Sequence, residues 1–192
     1  MILGDNLFHG SDLVSLLNAA NSRDKGSTIF AYPVRNPEQY GVVQIDNNGY
    51  PIRIDEKPNK VSGHYAVTGL YFYDNTVVSR AKEIKPSSRG ELEITSINQG
   101  YLNNGLLKVE IMGRGMAWLD TGTFDSLQEA ASYIRTLQNR QGLKVGCPEE
   151  VAWRKGWIND DQLCAISKSL LNSGYGEYLL KLLTEKQDRL KK

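Results

Sequence analysis

An α/β fold, with a mostly parallel mixed sheet flanked by helices and a helical C-terminal subregion, is predicted for this chain by three features of its sequence. β-branched and aromatic runs of strand length alternate with amphipathic helical patterns as far as Thr123. The first apolar run, Met1-Ile2-Leu3, halts at Gly4 and presents Asp5, as buried parallel strands do where ligands gather at their ends. Beyond Thr123 no convincing strand follows, and the pattern stays helical.

The elements follow in order. Residues 11–22 carry Leu13, Leu16, Leu17 and Ala20 on one helical face, with Ser11 or Asp12 able to cap the start. Residues 28–34 and 40–45 are β-branched or aromatic runs, so the opening reads as a βαβ unit, with His9 in the loop after the first strand. Asp46-Asn47-Asn48-Gly49 joins 40–45 to 52–54 as a hairpin, because Asn and Gly accept the positive φ of tight turns. Residues 65–73 make a long strand that Asp74 closes, and Asp74 also caps a short helix through Val77, Val78 and Ala81. Ser88 and Glu91 are spaced as a capping box for a helix using Leu92, Ile94, Ile97 and Leu102, which Asn103-Asn104-Gly105 stops. Strands are expected over 106–112 and 116–119. Helices follow from Thr123 through Leu137, over 160–171, and over 175–183.

The bulk composition narrows the function classes. With 192 residues and 40% hydrophobic content the chain suits one domain, 1–192, with 123–192 as a helical subregion inside it. A formal charge of +1 offers no electrostatic argument for nucleic acid or a membrane surface. No run approaches the ~20 apolar residues that span a bilayer, and no secretory signal opens the chain, so a cytoplasmic location is expected. Cys147 and Cys164 are too few and too distant for a zinc site or a disulfide framework, and both read as ordinary thiols. His9 and His64 lack the spacing of metal motifs.

Chemistry can sit at Asp5, Tyr40-Gly41, Glu56-Lys57, Arg89-Gly90-Glu91 and Asp120, and each place has a plain structural alternative. Asp5 and Asp120, both at strand ends, could share a hard cation such as Mg²⁺, which takes one or two carboxylates and fills its other positions with water and phosphate. Against that, Asp5-Asn6 can be a self-bonded turn, and Asp120 can cap the helix after Thr123. Glu56 can accept two vicinal sugar hydroxyls while the Lys57 ammonium holds a phosphate, or the two can form a solvated surface pair. Gly41 can let backbone approach a ligand, or merely begin a strand. Capping is the stronger reading of residues 89–91, and core or interface packing that of Trp118, Trp153 and Trp157.

Taken together these stretches resemble the sugar nucleotidyltransferases, in particular the thymidylyltransferase branch of the dTDP-rhamnose pathway. The resemblance rests on Leu3-Gly4-Asp5-Asn6, Tyr40-Gly41-Val42-Val43, Glu56-Lys57-Pro58, Arg89-Gly90-Glu91-Leu92-Glu93-Ile94-Thr95, Gly113-Arg114-Gly115 and Trp118-Leu119-Asp120-Thr121-Gly122-Thr123, in that order. Glu149-Glu150-Val151-Ala152 and Ser173-Gly174-Tyr175-Gly176 extend it along the chain. It implies a Rossmann-like nucleotidyltransferase fold and Mg²⁺ held by Asp5 and Asp120. It further implies a hexose pocket of Tyr40, Gly41, Glu56 and Val67, with Lys57 on the sugar phosphate. The implied reaction joins glucose 1-phosphate to dTTP, giving a dTDP-sugar for polysaccharide biosynthesis and pyrophosphate. The implied assembly is a homotetramer, and the helical tail with Trp153, Trp157, Leu179, Leu180, Leu182 and Leu183 is expected to supply subunit contacts.

The departure from the family pattern is specific. The glycine-rich loop ending in Gly-Thr-Arg-Leu is not present, and with it the residues that hold the triphosphate and read the base. The fold is therefore expected to be incomplete, with apolar surface or a strand edge exposed at Met1–Leu3, and the isolated chain is expected not to turn over. A non-catalytic binding or assembly module and a UTP-using relative are the competing readings. Pyrophosphate release separates the first from an enzyme, and nucleotide preference the second.

Overall fold

In a computed structural model, which describes residues 1–59, 63, 65–87 and 89–190, the alternation read from the sequence takes definite bounds. The first stretch holds β1 (Asn6–His9), α1 (Leu13–Asn21), β2 (Ser27–Pro33), β3 (Gly41–Ile45), β4 (Pro51–Glu56) and β5 (Tyr65–Tyr73). Then come α2 (Val77–Glu83), α3 (Ile94–Asn103), β6 (Leu107–Ile111) and β7 (Ala117–Asp120). The remainder is helical: α4 (Phe124–Gln141), α5 (Pro148–Arg154), α6 (Asp160–Ser169) and α7 (Gly174–Leu190). The chain divides into two compact units, residues 1–130 and 131–192.

The first unit is built on a five-stranded sheet in the order β4-β3-β5-β2-β6, with β1 and β7 forming a separate antiparallel ribbon. Strand periodicity divides the core between the two faces of the sheet. Ile29 and Ala31 of β2 pack with Val43, Ile54 and Val67 and with Ile97 and Tyr101 of α3. Phe30, between them in sequence, packs with Ala20 of α1 and with Ala66, Leu70 and Trp118. The hairpin forms as its turn residues require: Asp46 Oδ1 accepts from the backbone of Asn48 and Tyr50, and Gly49 takes φ +83°. Asp74 closes β5 and takes the Thr76 backbone N–H at 3.0 Å, the local bond that starts α2.

Three expectations are corrected. The sheet is mixed, but its parallel majority is not found: β4–β3, β3–β5 and β5–β2 are antiparallel and only β2–β6 is parallel. The crossover through α3 carries the chain past β5 to lie beside β2, so helix–strand alternation did not translate into parallel neighbours. The run Met1–Leu3 is not a buried strand. Ile2 makes an isolated bridge to Leu70, Leu3 N–H donates to Gly69 O, and the strand proper is Asn6–His9, which places His9 in β1 rather than in a loop. With a partner on one side only, Met1 and Ile2 are each 59% exposed and Leu3 41%, the apolar exposure expected there. The helix expected to begin at Ser88 and Glu91 begins at Ile94 instead, with Glu93 as an N-cap whose side chain makes no capping bond and instead accepts from Ser87 Oγ at 3.1 Å, and Leu92 is 63% exposed. Ser88 and His64 lie outside the described residues.

The second unit packs α5, α6 and α7 around Leu163, Leu179, Leu182, Tyr178 and Cys147. A reciprocal capping box of Asn159 and Gln162 starts α6. Both cysteines are free thiols. Among the described residues no helix is long and apolar enough to cross a membrane.

Candidate functional site

A cleft of about 180 Å³ in the first unit gathers Asp5, Tyr40, Gly41, Glu56, Lys57, Val67 and Asp120 among its lining. These are all the residues singled out from the sequence for substrate or metal, drawn from β1, β3, β4, β5 and β7 and their flanks. Antiparallel register explains the meeting: Gly41 lies opposite Glu56, and Asn6 opposite Asp120. Tyr40 carbonyl accepts from Lys57 N–H at 3.1 Å, closing the β3–β4 pair at the cleft.

The aspartates come to the rim through the β1–β7 ribbon. Asp5 carbonyl accepts from both the N–H and the hydroxyl of Thr121 at 2.8 Å, so the backbones bearing Asp5 and Asp120 run side by side. The turn read at Asp5-Asn6 is present, with Asn6 N–H donating to Leu3 O at 3.3 Å across Gly4-Asp5, but the Asp5 carboxylate accepts from the Asn6 side-chain amide at 2.9 Å rather than from the backbone. Asp120 is not the cap of α4. Thr123 Oγ1 accepts from Ser126 N–H and its own N–H donates to Ser126 Oγ, while Asp120 Oδ1 accepts from Gly122 N–H, two residues on, at 3.0 Å and reaches no N–H of α4 among the described residues. Asp5 and Asp120 line the same cleft, and carboxylates so placed could take a hard divalent cation completed by water and phosphate oxygens. No group of three or more His, Cys, Asp or Glu side chains placed to hold a metal ion occurs among the described residues.

Glu56 is not a solvated surface residue. Its Oε2 accepts from Thr95 Oγ1 at 2.5 Å, and its Oε1 lies 3.9 Å from the Arg89 guanidinium. Arg89 also meets Glu91 and Glu93, so residues 89–91 form a small charge network beside the cleft rather than a helix cap. Among the described residues the Lys57 ammonium has no ion-pair partner, and its backbone sits at φ +39°, the one non-glycine residue described with positive φ. Lysine rarely adopts that region, and the strain is held by the Tyr40–Lys57 backbone bond on one side and Pro58 on the other.

The aromatic wall registers the acidity of the cleft. Burial first, and then the Asp120 charge, push the Tyr40 hydroxyl up. Burial and then the Glu56 charge raise Tyr71 further. Both remain neutral hydroxyls at physiological pH. Trp118, 9% exposed, stands edge-on to Tyr40 at 5.0 Å between ring centres.

Several cleft residues were not foreseen. Asn6 Oδ1 accepts from the Trp118 indole at 2.6 Å and from Gly69 N–H at 3.0 Å, joining the ribbon to the five-stranded sheet. A Cβ on Gly69 would lie 2.7 Å from the Asn6 side chain. A glycine inside a strand marks such close approach, so Gly69 carried a legible signal. Thr95, in the first turn of α3, carried none.

The profile of the Nucleotidyl transferase family matches residues 1–136. The chain belongs to the nucleotidyl transferase family. Among relatives of this family, a glucose-1-phosphate thymidylyltransferase of Mycolicibacterium smegmatis is 56% identical over 183 residues, covering 95% of this chain and 63% of the relative. One from Neisseria meningitidis is 50% identical, covering 95% and 64%. The chain thus spans under two thirds of the length of these nucleotidyl transferases. A Bacillus anthracis protein solved with a sucrose bound superposes with TM-score 0.61 at 43% identity, over 69% of this chain and 52% of that one. A UDP-glucose pyrophosphorylase solved with UDP-glucose shares the fold, with TM-score 0.59 at 21% identity over 70% of this chain and 55% of that one.

Proposed function

We propose that this chain supplies the sugar-phosphate and metal-binding side of a glucose-1-phosphate thymidylyltransferase, the activity named for its mycobacterial and Neisseria relatives. The observation that supports it is the convergence of Tyr40, Gly41, Glu56, Lys57, Val67, Asp5 and Asp120 on one cleft. Glu56, anchored through Oε2, offers Oε1 to sugar hydroxyls, and the adjacent Lys57 ammonium holds the phosphate of the same molecule. Tyr40 and Val67 wall the hexose, and Gly41 leaves room for it. Asp5 and Asp120 would hold Mg²⁺, whose charge offsets that of the phosphates. In the proposed reaction a phosphate oxygen of glucose 1-phosphate bonds to the α-phosphorus of dTTP as the bond to pyrophosphate breaks. The attacking oxygen is already ionised, so no general base is required. The chain's contribution is positioning and charge complementarity.

A nucleoside triphosphate substrate accords with a cytoplasmic enzyme. The second unit, with Trp157 between α5 and α6 73% exposed and Val151 of α5 51%, suits subunit contacts in a homotetramer, whereas Leu179 and Leu182, expected to contribute, are buried in the unit's own core. Titration calorimetry of glucose 1-phosphate into the chain tests the reading. Binding that Lys57→Ala and Glu56→Gln each weaken is expected, without pyrophosphate release when dTTP or UTP is added. Turnover by the pure chain, or binding indifferent to both variants, contradicts it.

A further inference from the structure

We infer that Thr95 is a positioning residue, which fixes the Glu56 carboxylate so that Oε1 alone faces the hydroxyls of the bound sugar. The inference rests on the sugar-phosphate reading of the cleft and adds to it a source for hydroxyl selectivity. Thr95 is 8% exposed and its hydroxyl donates to Glu56 Oε2 at 2.5 Å, a short charge-assisted bond. Such a hydroxyl in a helix commonly bonds a backbone carbonyl of its own turn, whereas here it reaches across to β4. The pair closes over the Cα of Gly41, where a methyl would stand 3.3 Å from Glu56 Oε2 and 3.4 Å from Thr95 Oγ1. Three elements, β3, β4 and α3, therefore define one carboxylate oxygen. The other is left available: among the described residues Oε1 has no hydrogen-bond donor, and the Arg89 guanidinium at 3.9 Å is beyond bonding reach. A glutamate free to rotate would present either oxygen in several rotamers, and ordering it again on binding would cost affinity.

The consequence is a specific dependence on sugar hydroxyls. A carboxylate held in place discriminates glucose 1-phosphate from 2-deoxyglucose 1-phosphate, because the analogue leaves an acceptor unpaired. Both ligands are titrated into the 192-residue chain, with thermal melts recorded alongside. Thr95→Val, nearly isosteric, is expected to weaken glucose 1-phosphate binding about tenfold and to bring the ratio between the two ligands close to unity. Thr95→Ser keeps the hydroxyl and is expected to retain both affinity and ratio. Gly41→Ala, which leaves Thr95 in place but crowds the contact, is expected to lower the ratio as well, and it carries the test if the valine variant does not fold. An unchanged ratio in Thr95→Val and Gly41→Ala, alongside a lost ratio in Glu56→Gln, overturns the positioning role and leaves the cleft assignment standing. Equal losses in Thr95→Val and Thr95→Ser also overturn it, by making the role one of packing. Binding unaffected by Glu56→Gln and Lys57→Ala overturns the cleft assignment itself, and this inference falls with it.

Discussion

Replacing Gly69 with alanine should destabilise the chain, although the generic effect of that exchange within a strand is the opposite. Alanine ordinarily gains about 0.5–1 kcal/mol over glycine by restricting the unfolded chain. At this position the new methyl would lie 2.7 Å from Asn6 Cγ and Oδ1 and 2.8 Å from Nδ2, closer than Cβ atoms approach. Asn6 cannot withdraw without cost, because its Oδ1 holds both the Trp118 indole and the Gly69 N–H. Overpacking costs about 1–3 kcal/mol and each weakened hydrogen bond about 1 kcal/mol, so a net loss of about 2–4 kcal/mol is expected. Asn6→Ala alone strands two part-buried donors and should cost a similar amount. The double variant is the informative one: with the amide gone the methyl introduced by Gly69→Ala has room, and the costs should fall short of additive by at least about 1 kcal/mol. Urea unfolding followed by far-UV circular dichroism gives all the legs of the cycle. Strict additivity, or a Gly69→Ala variant within about 0.5 kcal/mol of the parent, would refute the packing argument.

Other outcomes follow from the same geometry. Asp74 accepts from Gly26 N–H, Thr76 N–H and the hydroxyls of Thr76 and Tyr101, and these bonds, the Thr76 hydroxyl foremost, lower its carboxyl from 3.8 to about 2. Its stabilisation is therefore complete above the unfolded value and is lost as pH falls from about 4 towards 2. Asp74→Asn should cost about 1–3 kcal/mol at neutral pH and flatten the acid limb of a stability–pH curve. In an enzyme completed with the glycine-rich segment, Asp120→Asn should lower kcat by about a hundredfold or more with little change in the KM for glucose 1-phosphate, whereas Glu56→Gln should chiefly raise that KM. Steady-state kinetics on both variants check the division. Trp157→Glu should shift light-scattering mass towards smaller species if the second unit carries subunit contacts.

The fold was legible where one residue type dictates one conformation. Residues 65–73 were read as a strand and are β5, and the Asp46–Gly49 turn forms through its own side chain. It was not legible where the outcome depends on a partner distant in sequence. Met1–Leu3 has the composition of a buried strand but gains a neighbour on one side only, while polar Asn6 and His9 disguise a strand that exists by pairing with residues 117–120. Strand direction was likewise hidden, since amphipathic alternation says which face is buried and not which neighbour is taken. In the cleft, the charged residues Asp5, Glu56, Lys57 and Asp120 were marked by their own chemistry, whereas Gly69, a glycine inside a strand, carried a mark that was passed over. Thr95 and Asn6 were missed because their roles consist of holding other side chains.

Asn6 matters beyond stability because of where the two halves of the cleft are mounted. Asp5 and Asp120 ride on the β1–β7 ribbon, and Glu56, Lys57 and Gly41 on the five-stranded sheet. The joins between them at this point are the Leu3 N–H to Gly69 O bond and the Gly69 N–H to Asn6 Oδ1 bond, and the Trp118 indole, within the ribbon, donates to the same Asn6 oxygen. The Asn6 amide also donates to Asp5 Oδ1, so one side chain orients a proposed metal ligand and fixes its distance from the sugar half. Displacing one half by ~1 Å is enough to cost about a hundredfold in a reaction that relies on alignment, yet it leaves each half able to bind its own ligand. Asn6→Ala in the completed enzyme should therefore lower kcat by about one to two orders of magnitude while the affinity for glucose 1-phosphate stays within about twofold. The reverse pattern, a raised KM at unchanged kcat, would show that Asn6 belongs to the sugar half and that the ribbon does not set the alignment.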